Sequence, residues 1–209
     1  MSNCPHCGAE LETPLGCGAC KVPLDTQAPC DPFSALGLTP AQELETSELE
    51  RLHLKYTRWV HPDYFAASPE LRALAEKNTG ILNGALASLG DPIMRADHLV
   101  RALQGPSDSE LKDMPQAFLM EVLDWNEGLQ EAHAAAAGSP ERARAFTLLP
   151  ELEGRRSAGL EAINELLTPL PETGAEALES ARRELNAIRY LDRALHELET
   201  LRLAEAEAR

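Results

Sequence analysis

Five cysteines crowd the first 30 residues, four of them as two pairs: Cys4-x2-Cys7 and, after nine intervening residues, Cys17-x2-Cys20. Four thiolates presented by two such turns satisfy a tetrahedral Zn²⁺, and Thr13-Pro14-Leu15-Gly16 supplies turn residues for a short hairpin between them. Structural Zn²⁺ on Cys4, Cys7, Cys17 and Cys20 is the cofactor this spacing predicts. Iron accepts the same four thiolates, so a rubredoxin-like site stays open. Paired disulfides fit a cytosolic chain poorly, and a thioredoxin-like redox role lacks its βαβ context. His6 lies inside the first pair and reads as a bystander, while Cys30 falls outside the spacing and reads as an ordinary thiol. So short a segment cannot build its own core, and its folding should depend on the metal.

The second chemically suggestive group is His61-Pro62-Asp63, a tripeptide set between two stretches with helical periodicity. Upstream, Leu49, Leu52, Tyr56 and Trp59 or Val60 recur at helical spacing, and Ser47 with Glu50 has the S-x-x-E capping pattern. Pro62 drives His61 out of helical angles and ends that helix. Ser68-Pro69-Glu70 then offers an N-cap residue and a proline at the first helical position. The helix that follows presents Leu71, Leu74, Ala75, Asn78, Ile81, Leu82, Ala85 and Leu89 as a stripe to pack on its predecessor. A helical hairpin results, with His61 and Asp63 in its exposed loop. Taken alone, Asp63 could be a turn residue and His61 a solvated loop histidine.

The ordered set of motifs resembles a known family. Asp31-Pro32-Phe33-Ser34-Ala35-Leu36-Gly37-Leu38, His61-Pro62-Asp63-Tyr64-Phe65, Ile81-Leu82-Asn83-Gly84-Ala85 and Asp91-Pro92-Ile93-Met94-Arg95-Ala96 stand in the order and spacing of the HscB branch of J-domain co-chaperones. Phe118-Leu119-Met120-Glu121 and Arg189-Tyr190-Leu191-Asp192 resemble that branch's client-binding domain, so the likeness covers residues 31–205. The resemblance implies a loop, His61-Pro62-Asp63, that triggers ATP hydrolysis in a DnaK-type (HscA-like) chaperone, and an iron–sulfur cluster scaffold protein as client. Some members of the branch carry a similar N-terminal metal knuckle. Tyr64 departs from the lysine common after the aspartate.

Two further surfaces belong to this expectation. Arg51, Lys55 and Arg58 fall at i, i+4 and i+7 on one side of the helix before the loop; they read either as a solvated face or, by the resemblance, as the cations that meet an acidic groove of the chaperone. Leu119, Met120 and Leu123 make a compact apolar patch at i, i+1 and i+4, edged by Asp124, Glu127 and Glu131. Spacing alone suits core residues between helices. The resemblance instead assigns them, with Tyr190, to the grip on the scaffold, while Phe118, Val122, Trp125 and Leu129 fill the other side.

Composition agrees with helices. Across 209 residues aromatic content is 4%, and Leu, Ala, Glu and Arg abound. The net charge of −15 divides into −2 over residues 1–30, −3 over 31–105 and −10 over 106–209. Nucleic acid is not expected as a partner, since binding it needs a basic patch. No membrane partner is expected either, because no apolar run reaches about 18 residues. Without a secretory signal pattern the cytoplasm is the default compartment. No Gly-rich phosphate loop or motif-defined nucleophile–base pair stands out, so the chain is not read as an enzyme, and His53, His98, His133 and His196 read as helix-face or core residues, His53 without a partner.

The expected fold is all-α: a Cys4 zinc knuckle over 1–24, a J-domain helical hairpin over 31–105, and a three-helix client-binding bundle over 112–209. Within it, Asp91-Pro92 caps a helix to about Leu103, stopped by Gly105-Pro106. Helices follow near 115–137, 140–168 and 174–206, the middle one kinked or broken at Pro150. Two other functions fit parts of the pattern: a J-protein whose client is chosen by the knuckle, or a metal or cluster carrier using the four cysteines.

Overall fold

Helix boundaries follow the prolines. In the computed structural model, which describes residues 3–26, 29–112 and 116–208, Pro32, Pro69, Pro92, Pro140 and Pro150 each stand in the first turn of a helix, where the missing N–H has no partner to lose. The helices are α1 (Pro32–Ala35), α2 (Thr46–Thr57), α3 (Pro69–Gly90), α4 (Pro92–Ala102), α5 (Gln116–Ala134), α6 (Pro140–Phe146), α7 (Leu149–Leu167) and α8 (Glu176–Glu207), with a 3₁₀ turn at Pro62–Phe65. Among the described residues no strand forms, only isolated bridges Asn3–Glu10, Thr13–Gly16 and Gly16–Pro23. The fold is all-α with a four-cysteine knuckle at its start. No helix among these residues is long and apolar enough to cross a membrane.

The chain divides into two units, residues 1–95 and 96–209, with the division inside α4. In the first, α3 packs against α1, α2 and the 3₁₀ turn. Leu49, Leu52, Tyr56, Trp59 and Val60 are buried, as are Ala75, Leu82, Ala85 and Leu89 of α3 and Phe33, Ala35 and Leu36 from around α1. Asn78 is the polar member of the α3 stripe, and it is fully buried for a reason. Its Nδ2 donates to the carbonyls of Leu15 (2.6 Å) and Leu24 (2.9 Å), so the knuckle is bonded into the hairpin. His53, expected to lack a partner, meets Asn83 Oδ1 at 2.7 Å across the α2–α3 contact.

Two expected caps are not made. Helix α2 begins two residues early, at Thr46 with Glu45 as N-cap, so Ser47 is already helical and the capping box with Glu50 cannot form. Ser68 precedes α3 but its hydroxyl caps nothing; Pro69, with its preset φ, starts the helix instead. Asp91 does cap α4, accepting from the backbone N–H of Ile93 (2.7 Å) and Met94 (3.0 Å). At the far end of α4 the left-handed residue is Gln104 (φ 60°), with Gly105 N–H returning to the Val100 carbonyl at 2.8 Å.

In the second unit α8, 32 residues long, packs on α7, α5 and α6. Val122, Trp125, Leu129 and Ala132 of α5, Ala145 of α6, Leu152 of α7 and Leu191, Ala194, Leu198 and Leu201 of α8 form the core. The expected middle helix is two, because α6 ends at Phe146 and Pro150 falls in the first turn of α7 rather than inside a continuous helix. The bundle of three long helices thus carries a short fourth. The expected start of α5 at residue 115 lies outside the described residues. Arg182, with no exposed surface, donates to Asp97 Oδ1 (2.5 Å) and to the Pro106 carbonyl (2.8 Å), tying the end of α4 to α8.

Candidate functional site

The 3₁₀ turn after α2 fixes the tripeptide. His61 is extended (φ −67°, ψ 127°), as the following proline requires, and its Nδ1 accepts the Asp63 N–H at 3.3 Å. The same nitrogen stands 3.6 Å from the Asp63 carboxylate, so the ring lies over the turn it caps. Tyr64 stacks at a tilt, 5.7 Å from the imidazole. Asp63 is 85% exposed and His61 45% exposed, which leaves both side chains open to a partner while the backbone is held. The turn packs on α3, Phe65 is half-buried, and the Val60 carbonyl just before the turn accepts from Thr79 of α3.

The three cations, two on α2 and Arg58 at its C-cap, are not equivalent. Arg51 forks onto Glu48 (2.6 and 2.7 Å), and Lys55 pairs with Glu12 of the knuckle. Arg58 forms no ion pair among the described residues and is exposed. Lys55 also lies 5.4 Å from the Tyr56 ring centroid and 5.2 Å from that of Trp59. Burial, with Glu12 beside it, pushes the Tyr56 hydroxyl up to about 12.

The four predicted ligands converge. The Sγ atoms of Cys4, Cys7, Cys17 and Cys20 all lie within 4.8 Å of one another, with Cys4–Cys20 at 3.7 Å and Cys7–Cys17 at 3.6 Å. A tetrahedral ion with Zn–S bonds near 2.3 Å separates its sulfurs by roughly 3.8 Å, so the cluster fits such an ion with little adjustment. All five cysteines are free thiols, and Cys30, half-buried, sits outside the cluster. Their ionisation is uneven. Backbone N–H groups of Cys20 and Ala19 aimed at the Cys17 sulfur lower its pKa to about 6 against the cost of burial. Cys20 is pushed up to about 12 by burial and by the neighbouring sulfurs. Four sulfurs this close cannot all carry charge unless a cation sits among them.

Each pair turns in the same way. Gly8 N–H returns to the Cys4 carbonyl and Lys21 N–H to the Cys17 carbonyl, both at 2.9 Å, and both residues are left-handed (φ 74° and 57°). Lysine in that region costs roughly 1–2 kcal/mol relative to a right-handed conformation. A Cβ on Gly18 would stand 2.6 Å from the Trp59 ring, so the second turn lies directly on the end of the α2 segment. Lys21 Nζ is 4.6 Å from the centroid of that ring. No local sequence pattern singles out Lys21 or Glu12; only the fold brings them to the α2 segment.

On α5 the apolar patch is solvent-facing. Leu119, Met120 and Leu123 are 42%, 56% and 62% exposed and Tyr190 on α8 is 45% exposed, while Val122, Trp125 and Leu129 turn inward and Phe118 packs edge-on to Trp125. Asp124, Glu127 and Glu131 are exposed along the same helix. None of the four apolar residues is core.

Comparison with known proteins gives a consistent picture. Residues 114–199 match the family model described as the HSCB C-terminal oligomerisation domain. The chain is 30% identical over 172 residues to a co-chaperone protein HscB homolog of Shewanella loihica, covering 80% of this chain and 94% of the relative. With the homolog of Shewanella amazonensis identity is 38% over 104 residues, 47% of this chain, and the match spans 58% of that relative's length. The crystal structure of human co-chaperone protein HscB superposes with a TM-score of 0.73 at 19% identity, covering 97% of this chain and 100% of the other. Chaperone HscB from Vibrio cholerae gives 0.66 at 21%, covering 83% and 98%.

Proposed function

Since this chain belongs to the HscB family of co-chaperones, we propose that it stimulates the ATPase of a DnaK-type, HscA-like chaperone through His61-Pro62-Asp63 and brings that chaperone the scaffold protein on which iron–sulfur clusters are built. The observation that carries this reading is the turn itself: a backbone capped by His61 and anchored to α3, with the Asp63 carboxylate left in solvent. A group needed only for a local turn would spend its carboxylate on the turn. Arg51, Lys55 and Arg58 would dock α2 on an acidic face of the chaperone, and Leu119, Met120, Leu123 and Tyr190, with Asp124, Glu127 and Glu131 at the edge, would hold the scaffold. The chain acts by protein contacts in the cytoplasm, and the two surfaces together raise the local concentration of scaffold at the chaperone.

Cys4, Cys7, Cys17 and Cys20 would hold a structural Zn²⁺, whose charge keeps four neighbouring thiolates ionised. Cys4 and Cys17 are buried in a small cluster with Leu24, which favours a retained ion over one handed to another protein. Affinity capture of the full chain from its own cell tests the reading. A DnaK-type ATPase and a scaffold protein should be recovered together; recovery of a different client through the knuckle, or a coloured protein that gives up iron, would favour the other functions.

A further inference from the structure

Lys21, Arg51, Leu54, Lys55, Arg58 and Trp59 line one shallow concavity of about 430 Å³. Four of the six are cations, and they are not equally available. Arg51 is committed to Glu48 and Lys55 to Glu12, whereas Lys21 and Arg58 form no ion pair among the described residues. The C-cap of α2, Arg58, is therefore one uncommitted cation and the knuckle's Lys21 the other. The knuckle also removes one, because Glu12 pairs with Lys55.

We infer that the metal knuckle is part of the chaperone-docking face: Lys21 adds a cation to it and Glu12 restrains another, for an acidic surface of the DnaK-type chaperone. This rests on the co-chaperone reading above and deepens it. The strongest support is Lys21's backbone. It occupies in the second turn the left-handed position that Gly8 holds in the first, so glycine would fit better, and the strain is borne by a side chain that lands on Trp59 beside Arg58. Leu54, 52% exposed in the same concavity, gives the occupant an apolar contact as well. Lys21 follows Cys20 directly, so the ion that folds the turn also sets where the cation stands.

The test uses the intact, metal-loaded protein and the ATP-bound chaperone, reading both Kd and the maximal ATPase stimulation. Lys21→Gly suits the left-handed turn and should keep full metal content and an equal or higher Tm. Its Kd should rise about three- to tenfold at low ionic strength with maximal stimulation unchanged, and Lys21→Arg should restore the parent's Kd. Glu12→Gln, five residues from Cys7 and from Cys17 in sequence, should move Kd the other way, by about twofold. Both shifts should fade as salt rises to about 0.5 M. Superimposable binding curves for the parent, Lys21→Gly and Glu12→Gln would overturn the inference. His61→Gln is the control: if it stimulates as the parent does, the co-chaperone reading falls and this inference with it, whereas a dead His61→Gln beside a silent Lys21→Gly removes the inference alone.

Discussion

Cys17 and Cys20 stand in one turn and ionise in opposite directions, and that asymmetry predicts how the metal is taken up. At pH 7 Cys17, near 6, is already a thiolate, while Cys20, near 12, is a thiol. Cys7 also ends above its ordinary value: the Ala9 N–H bond lowers it, but burial and the Cys17 sulfur outweigh that bond. Binding Zn²⁺ must therefore expel protons from at least two groups, Cys7 and Cys20, so affinity should rise with pH above 7. Below about pH 6 Cys17 must deprotonate too and the dependence should steepen. Calorimetry in buffers of differing ionisation enthalpy counts those protons; fewer than two would contradict the assignment. Cys30→Ser should bind one ion per chain as the parent does. The clustering of Cys4, Cys7, Cys17 and Cys20 was legible from spacing alone. Lys21 and Glu12 were not, because their partners Trp59 and Lys55 lie more than 30 residues away in sequence and no local pattern encodes such a pairing.

Helices were legible wherever an apolar stripe met a proline. The stripe on α3 and the prolines at 69, 92 and 140 placed those helices, but Ser47 and Ser68 do not cap: a two-residue shift of the N-cap to Glu45 puts Ser47 inside the helix, a difference that propensity cannot resolve. Periodicity was equally silent about which side of α5 is covered. Leu119, Met120 and Leu123 have core-like spacing, and their exposure is decided by Val122, Trp125 and Leu129 turning toward α8. Because the patch is exposed, replacing all three by alanine should leave Tm nearly unchanged. Scaffold binding should weaken at least tenfold if the patch is a hot spot worth about 2–5 kcal/mol. Equilibrium binding alongside thermal unfolding checks both; a large fall in Tm with unchanged affinity would move the client surface elsewhere.

At the scale of the whole molecule, the knuckle shares a core with the hairpin rather than hanging from it. Leu15 has no exposed surface, and its burial is worth about 2 kcal/mol; Asn78 bonds add roughly 1 kcal/mol each. Stripping the metal should accordingly lower the stability of the first unit by about 2–4 kcal/mol, visible as earlier loss of helix in denaturant, with Trp59 reporting the loosened contact. In the second unit Arg182→Met leaves Asp97 partly unpaired and should cost about 3 kcal/mol. Both effects concern stability, whereas the proposed co-chaperone function depends on a signal sent from an exposed turn. The most direct measurement is the steady-state ATPase rate of the DnaK-type chaperone with its scaffold, comparing the parent with His61→Gln. Strong stimulation is expected from the parent and none from the variant, with helix content and scaffold binding intact; stimulation that survives His61→Gln would contradict the proposed function.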